Sequence, residues 1–414
     1  MERILLGTAQ PGQTIGVFED VLKRLHDRLT YLYSDAGRYW LDTRPNLRRE
    51  MESRKQNINN REELEPLLKT SVTSIFGRNH SFGGIHVFTS SADVVDEFSS
   101  GPRLVVLPLE CGYSRGDTAI AFQAAEKILR FRGDQPRQKQ NRLIFLAPDF
   151  DVVSRLKDLG RTYLAWESIV KDAAEEKITL TIALAKQAKQ NADAVKQSLQ
   201  QTVREAYKWL LCPFEIFEKG KPILTWDTAA VSPAAPNVMT EIETKLRQEE
   251  WIISEWSPIH LRTMLQQWYL KDSKQEVSAA KVWQDSCNYL YLPRIVNEAV
   301  FKQTISNGLE STDFFGYASG KEGDRYLGFV FGDRSTVILD ENSLIIDRDH
   351  AAEYQSKLTE VPNVGVAPDA PNSGSGVTGG SLPHVTGNPA PDQPAPPTTV
   401  KKQFYGTVSL EPLT

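Results

Sequence analysis

With 414 residues, 40% of them hydrophobic, and a formal net charge of -5, the chain is long enough for two or three domains and has no global basic field. Cys111, Cys212 and Cys287 stand far apart and join no Cys/His cluster, which argues against a zinc site or disulfide framework and favours a reducing, cytoplasmic setting. No apolar run reaches the roughly 18 residues of a membrane span, and MERILLGTAQPGQT lacks a signal-peptide pattern.

The first motif is Gly7–Thr14, GTAQPGQT, which has the GxxxxG-x-T spacing of a phosphate loop after the apolar run Ile4–Leu6. The lysine that would reach the β- and γ-phosphates is replaced by Gln13, whose neutral amide supplies no point charge. Pro11 also removes a backbone N–H from the cradle. Gly7, Gly12, Gln13 and Thr14 therefore read as an ordinary strand-to-helix turn, with a degenerate phosphate loop as the alternative. Phe18, Val21, Leu22, Leu25, Leu29 and Leu32 recur at helical spacing and predict a helix over Val17–Tyr33.

Tyr31–Asn46, YLYSDAGRYWLDTRPN, gathers four aromatics, two aspartates and two arginines in sixteen residues. Such a density of amphipathic rings and charged groups suits a contact surface better than a plain core segment. Two readings stand level. In the first, Tyr39 and Trp40 are core-edge aromatics, Asp42 or Thr43 caps a helix after Pro45, and Arg44 pairs with a carboxylate. In the second, Arg38 or Arg44 projects towards a phosphate or an adjoining ATPase module and the aromatics hold it in place.

Thr43–Lys69 reads as helical. Ile85–Thr89, Leu104–Leu107 and Leu143–Leu146 read as strands, with an amphipathic helix over Asp117–Phe131 between the last two. This alternation predicts an α/β domain over residues 1–150 with some parallel pairing. The strand ending LIFLAPD places Asp149 where a magnesium-holding acid would stand, although a buried strand followed by a capping aspartate fits better. Val152–Leu211 reads as nearly all helix, and residues 151–235 are expected to form an exposed helical arm.

For residues 236–358 the periodicity predicts helices at Val238–Glu250, Pro258–Leu270, Ala279–Leu290 and Val296–Ser306. Strands are expected at Phe314–Ala318, Tyr326–Phe331 and Val337–Leu339, giving a winged-helix-like domain. Trp251, Trp256, Trp268, Trp283, Tyr289 and Tyr291 suit a core better than stacking platforms. Arg262, Lys271, Lys274 and Lys281 offer a modest DNA-facing patch, weakened by Asp272 and Glu276. The six histidines show no ligand spacing, and no GxSxG is present, so no catalytic constellation and no metal site is assigned. Residues 359–400, rich in Pro, Gly, Ser and Thr, read as a disordered tail, and residues 401–414 as the first strand of a truncated further domain.

Several segments together resemble one family: Gln10–Glu50, Ser91–Glu110, Arg130–Asp149, YLAWESI at Tyr163–Ile169, REAYKWLLCP at Arg204–Pro213, and SPIHLRTMLQQWY with YLYLPRI at Ser257–Tyr269 and Tyr289–Ile295. The chain resembles the C-terminal part of large prokaryotic AAA-type P-loop ATPases. That family of unknown-function domains includes the ATPase of phage-growth-limitation and BREX-type defence clusters, encoded beside DNA methyltransferases and helicases. The likeness implies that the phosphate loop lies N-terminal to everything seen here, so ATP and magnesium belong to the parent family and no cofactor to this chain. It implies a role in phage defence or DNA modification, with an ATPase core or sister subunits as partners, DNA contact as a further role, and no membrane. A stand-alone DNA-binding winged-helix protein, or a divergent nucleotide-binding enzyme using Gly7–Thr14, is the alternative.

Overall fold

The computed structural model describes residues 2–29, 31–35, 38–41, 46–97, 101–116 and 119–359. Asp42, Thr43, Arg44, the expected linker beyond residue 359 and the expected strand within 401–414 lie outside them. The described residues form a mixed α/β structure, rich in helix.

The chain begins with α1 (Glu2–Thr8) and α2 (Ile15–Arg28), then a hairpin of β1 (Leu32–Asp35) and β2 (Arg38–Leu41). Ile4–Leu6 is thus helix, which corrects the expected strand. The polar neighbours Glu2 and Arg3 extend the three apolar residues into a helical turn. The predicted helix over Val17–Tyr33 stops at Arg28, because Leu29 turns to an extended conformation and Leu32 enters β1.

After α3 (Leu47–Asn57) and α4 (Glu65–Ser74), strands β3 (Gly84–Val87), β4 (Arg103–Val106) and β7 (Leu143–Pro148) pair in parallel. Between them run α5 (Ala119–Arg130) and the two-residue ladder of β5 (Phe131–Arg132) with β6 (Gln135–Pro136). Side chains alternate across this sheet. Leu104, Val106, Ile144 and Leu146 face one core, whereas Val105, Leu143 and Phe145 face another with Ala121, Ala125 and Leu129 of α5. Both faces are covered, which explains the unbroken apolar runs. Each buried aliphatic contributes about 1.5–3 kcal/mol.

The expected arm is partly a sheet layer. Helices α6 (Phe150–Ala174) and α7 (Ile182–Ala206) are antiparallel neighbours, and Leu156, Tyr163, Leu199 and Val203 pack on the sheet core. Their far ends meet α3 around Trp166, Ile169 and Ala188. Helix gives way at Tyr207 to β8 (Tyr207–Glu218) and β9 (Lys221–Ala230), a long hairpin inside the stretch 151–235. It completes a five-stranded sheet of order β3-β4-β7-β8-β9, with β8 antiparallel to both neighbours.

Helix α8 (Val238–Gln248) adds Val238, Ile242 and Leu246 to the sheet core, so the second lobe starts after it. That lobe runs α9 (Pro258–Trp268), β10 (Glu276–Ser278), α10 (Ala279–Asn288), α11 (Glu298–Leu309) and β11 (Phe315–Ala318). It continues through the hairpin β12 (Gly320–Glu322)–β13 (Arg325–Leu327) to β14 (Leu344–Asp347) and α12 (Arg348–Thr359). Its antiparallel sheet has the order β10-β14-β11 over a core of Leu261, Val282, Phe301, Ile305, Phe315 and Ile345. Val337–Leu339 is not a strand; the place in the sheet falls instead to Leu344–Asp347, the central strand, whose Ile345 and Ile346 are fully buried.

Buried arginines join the lobes. Arg142 donates to the Ile295 and Val296 carbonyls at 2.6 and 3.0 Å, and Asn141 donates to those of Ser286 and Leu292, both at 2.9 Å. Arg294 returns the contact to the Asn141 and Pro213 carbonyls at 2.7 and 2.8 Å. Burial lowers the Arg142 pKa to about 10, which still leaves it charged at neutral pH, its charge met by carbonyl dipoles.

Candidate functional site

Parallel strands deliver their carboxyl ends to one edge of a sheet, where ligands of α/β proteins bind. At that edge, beyond β7 and beside β8, a cleft of about 730 Å³ is lined by Tyr113, Arg115, Asp149, Lys208, Trp209 and Lys245, among others. Asp149 ends the LIFLAPD run and caps α6, its Oδ1 accepting from the Asp151 N–H at 3.1 Å. Its Oδ2 accepts from the Trp209 indole N–H at 2.9 Å and from the Lys208 ammonium at 2.7 Å. Burial alone would raise the Asp149 pKa, but the hydrogen bonds from Lys208 and Trp209 outweigh it and hold the carboxyl below its usual value.

Three donors therefore engage Asp149, and a cation placed there would have to displace Lys208. The capping role expected of it is what the geometry gives. Arg115 and Lys208 lie over the Trp209 ring at 5.2 and 5.7 Å. Arg115, Lys208 and Lys245 are balanced by Asp149, Asp151 and Glu241, so the cleft has no strong field of either sign. It can recognise a polar group but holds no hydroxyl or thiol beside an imidazole. Among the described residues, no cluster of three or more His, Cys, Asp and Glu is arranged to hold a metal ion.

Gly7 lies within α1, while Gly12, Gln13 and Thr14 lie on an exposed turn between two helices rather than between a strand and a helix. Gly12 has φ +87°, and the Gln13 side chain accepts from the Gln10 N–H at 3.0 Å, closing the turn on itself. Arg38, Tyr39 and Trp40 fall on β2, where Trp40 stacks on Tyr33 with ring centroids 5.8 Å apart. This places them in a hairpin, away from the cores.

Arg262, Lys271 and Lys274 have separate roles. Arg262 ties α9 to the Asp313 carbonyl at 2.9 Å, and the Lys271 ammonium rests 5.6 Å from the centre of the Trp268 ring. Lys274 is exposed in the turn before β10. Trp283 is buried as expected, but Trp268, Tyr289 and Tyr291 join Phe217 of β8 in a chain of ring contacts at 4.6–5.4 Å, with Phe217 and Tyr289 nearly half exposed.

The cleft's Tyr113, Arg115, Lys208 and Trp209 were not singled out in the sequence. Lys208-Trp209 beside a strand start was the available signal, masked by the helical reading that ran on to Leu211. Comparison with protein-family models, with curated proteins and with solved structures yields no match.

Proposed function

We propose that the chain is a non-catalytic coupling component of an AAA-type ATPase assembly in phage defence, acting through protein contacts. The reading is supported above all by the arginine joint. Arg142 and Arg294 lock the sheet lobe and the C-terminal lobe through buried carbonyls, so a displacement imposed on one lobe is carried by the other. We read the C-terminal lobe as winged-helix-like: its order, helix–strand–helix–helix–strand–hairpin–strand with the last strand central in the sheet, supports this.

Charge favours a protein partner over duplex DNA for that lobe. Residues 249–358, those after α8, carry eleven Lys and Arg against seventeen Asp and Glu. A surface of that sign repels phosphates unless cations cluster, and Arg262, Lys271 and Lys274 are engaged with separate partners or interleaved with acids.

The test is to mix the purified chain with the P-loop ATPase encoded in the same gene cluster and measure turnover. A several-fold change in ATP hydrolysis, weakened by Arg294→Met, is the expected result. The reading falls if turnover is unaffected, or if the chain alone hydrolyses ATP.

A further inference from the structure

We propose that the N-terminal arm, residues 2–41, is a self-association element that pairs α2 antiparallel with α2 of a second copy. None of its described residues is buried. Nine of the twenty exposed large hydrophobic side chains among the described residues nevertheless fall within it. Val17, Val21 and Leu25 recur every four residues and form a stripe along α2; Leu29 just past its end, Leu6 of α1 and Leu41 of β2 are exposed as well, the last two at 83% and 75%. A 14-residue helix and a two-stranded hairpin are each marginal in water without a covering surface. Apolar exposure this concentrated marks an interface.

Charge points to a second copy as the cover. Asp20 and Arg24 flank the stripe, bonded to each other at 2.7 Å and still more than half exposed. Turning one helix end for end about a dyad level with Leu22 sets Asp20 opposite Arg24 of the other copy, and Arg24 opposite Asp20. A two-fold interface requires that self-complementarity. The inference does not rest on the coupling role: a self-paired arm is compatible with any activity.

The full chain, run by size exclusion with light scattering at about 50 μM, is expected to give near twice 46.5 kDa. Val21→Asp with Leu25→Asp should return the mass to 46.5 kDa without lowering the melting temperature of the body, since the arm contributes no core residue. Asp20→Arg alone and Arg24→Asp alone should each weaken the dimer about tenfold, and the two together should restore it. Wild-type protein that stays monomeric overturns the proposal, as does a dimer indifferent to Val21 and Leu25 or a double charge swap that fails to rescue.

Discussion

Arg294 and Asn141 hold each other across the two lobes. The guanidinium Nε donates to the Asn141 carbonyl at 2.7 Å, while the Asn141 side-chain amide donates to the carbonyl of Leu292, two residues before Arg294. Arg294 also reaches the Pro213 and Trp251 carbonyls and the Cys212 sulfur. Methionine at 294 keeps the volume but abandons these acceptors in a buried setting. Each unmet buried group costs about 1–3 kcal/mol, so Arg294→Met should lose at least about 3 kcal/mol. Differential scanning calorimetry should show the single transition split in two as the lobes uncouple; one unshifted transition would show that the joint is dispensable.

Packing in the second lobe gives a sharper test. An added Cβ at Gly308 would meet the Phe315 ring at 2.4 Å, and that ring is fully enclosed. Alanine gains about 1 kcal/mol of helix propensity, but overpacking a closed site costs about 1–3 kcal/mol and forces the ring to move. Gly308→Ala should therefore destabilise in urea titration. Gly7→Ala in α1, where nothing lies within 4 Å of the added carbon, should be neutral or slightly stabilising.

The parallel strands were legible because burial on both faces leaves LVVL and LIFLAP almost free of polar interruptions. The helices of the second lobe were legible from their stripes. The β8–β9 hairpin was not, since the amphipathic pattern of α7 runs into Tyr207 without a glycine or proline to mark the change. Its signal was Lys219-Gly220 between FEIFE and KPILTW: both residues have positive φ, +51° and +78°, as a tight two-residue hairpin turn requires. The cleft was illegible for a related reason. Asp149 and Lys208 are 59 positions apart, and only the sheet pairing of β7 with β8 brings them together.

Nucleotide binding at the first turn should be absent. A phosphate loop needs a strand end and a helix start aimed at one point, plus a lysine; here two helices flank a turn closed by Gln10 and Gln13. Titration with a fluorescent ATP analogue and magnesium should show no saturation below about 1 mM, and Gln13→Lys should not create a site, because one added charge supplies no cradle. Micromolar binding that is lost on altering Thr14 would restore the phosphate-loop reading.

Asp149 links stability to pH in a direction that can be worked out. Its carboxyl is held below the usual value, so its ion pair stabilises the fold above the unfolded aspartate pKa of about 3.9 and is lost as pH falls through the folded value. Asparagine caps a helix as well as aspartate does, so Asp149→Asn retains the bond from the Asp151 N–H but puts an amide NH2, a donor, where the carboxylate oxygen accepts from Lys208 and from the Trp209 indole. The variant should lose about 1–3 kcal/mol at pH 7, and the gap from wild type should narrow below pH ~4. Asp149→Ala removes the cap as well and should cost about 1 kcal/mol more at every pH. Urea unfolding followed by tryptophan fluorescence at pH 7 and pH 3 measures both. A wild-type advantage over Asp149→Asn that stays constant with pH would mean that the Lys208 pair adds nothing and that the carboxylate acts only through its hydrogen bonds.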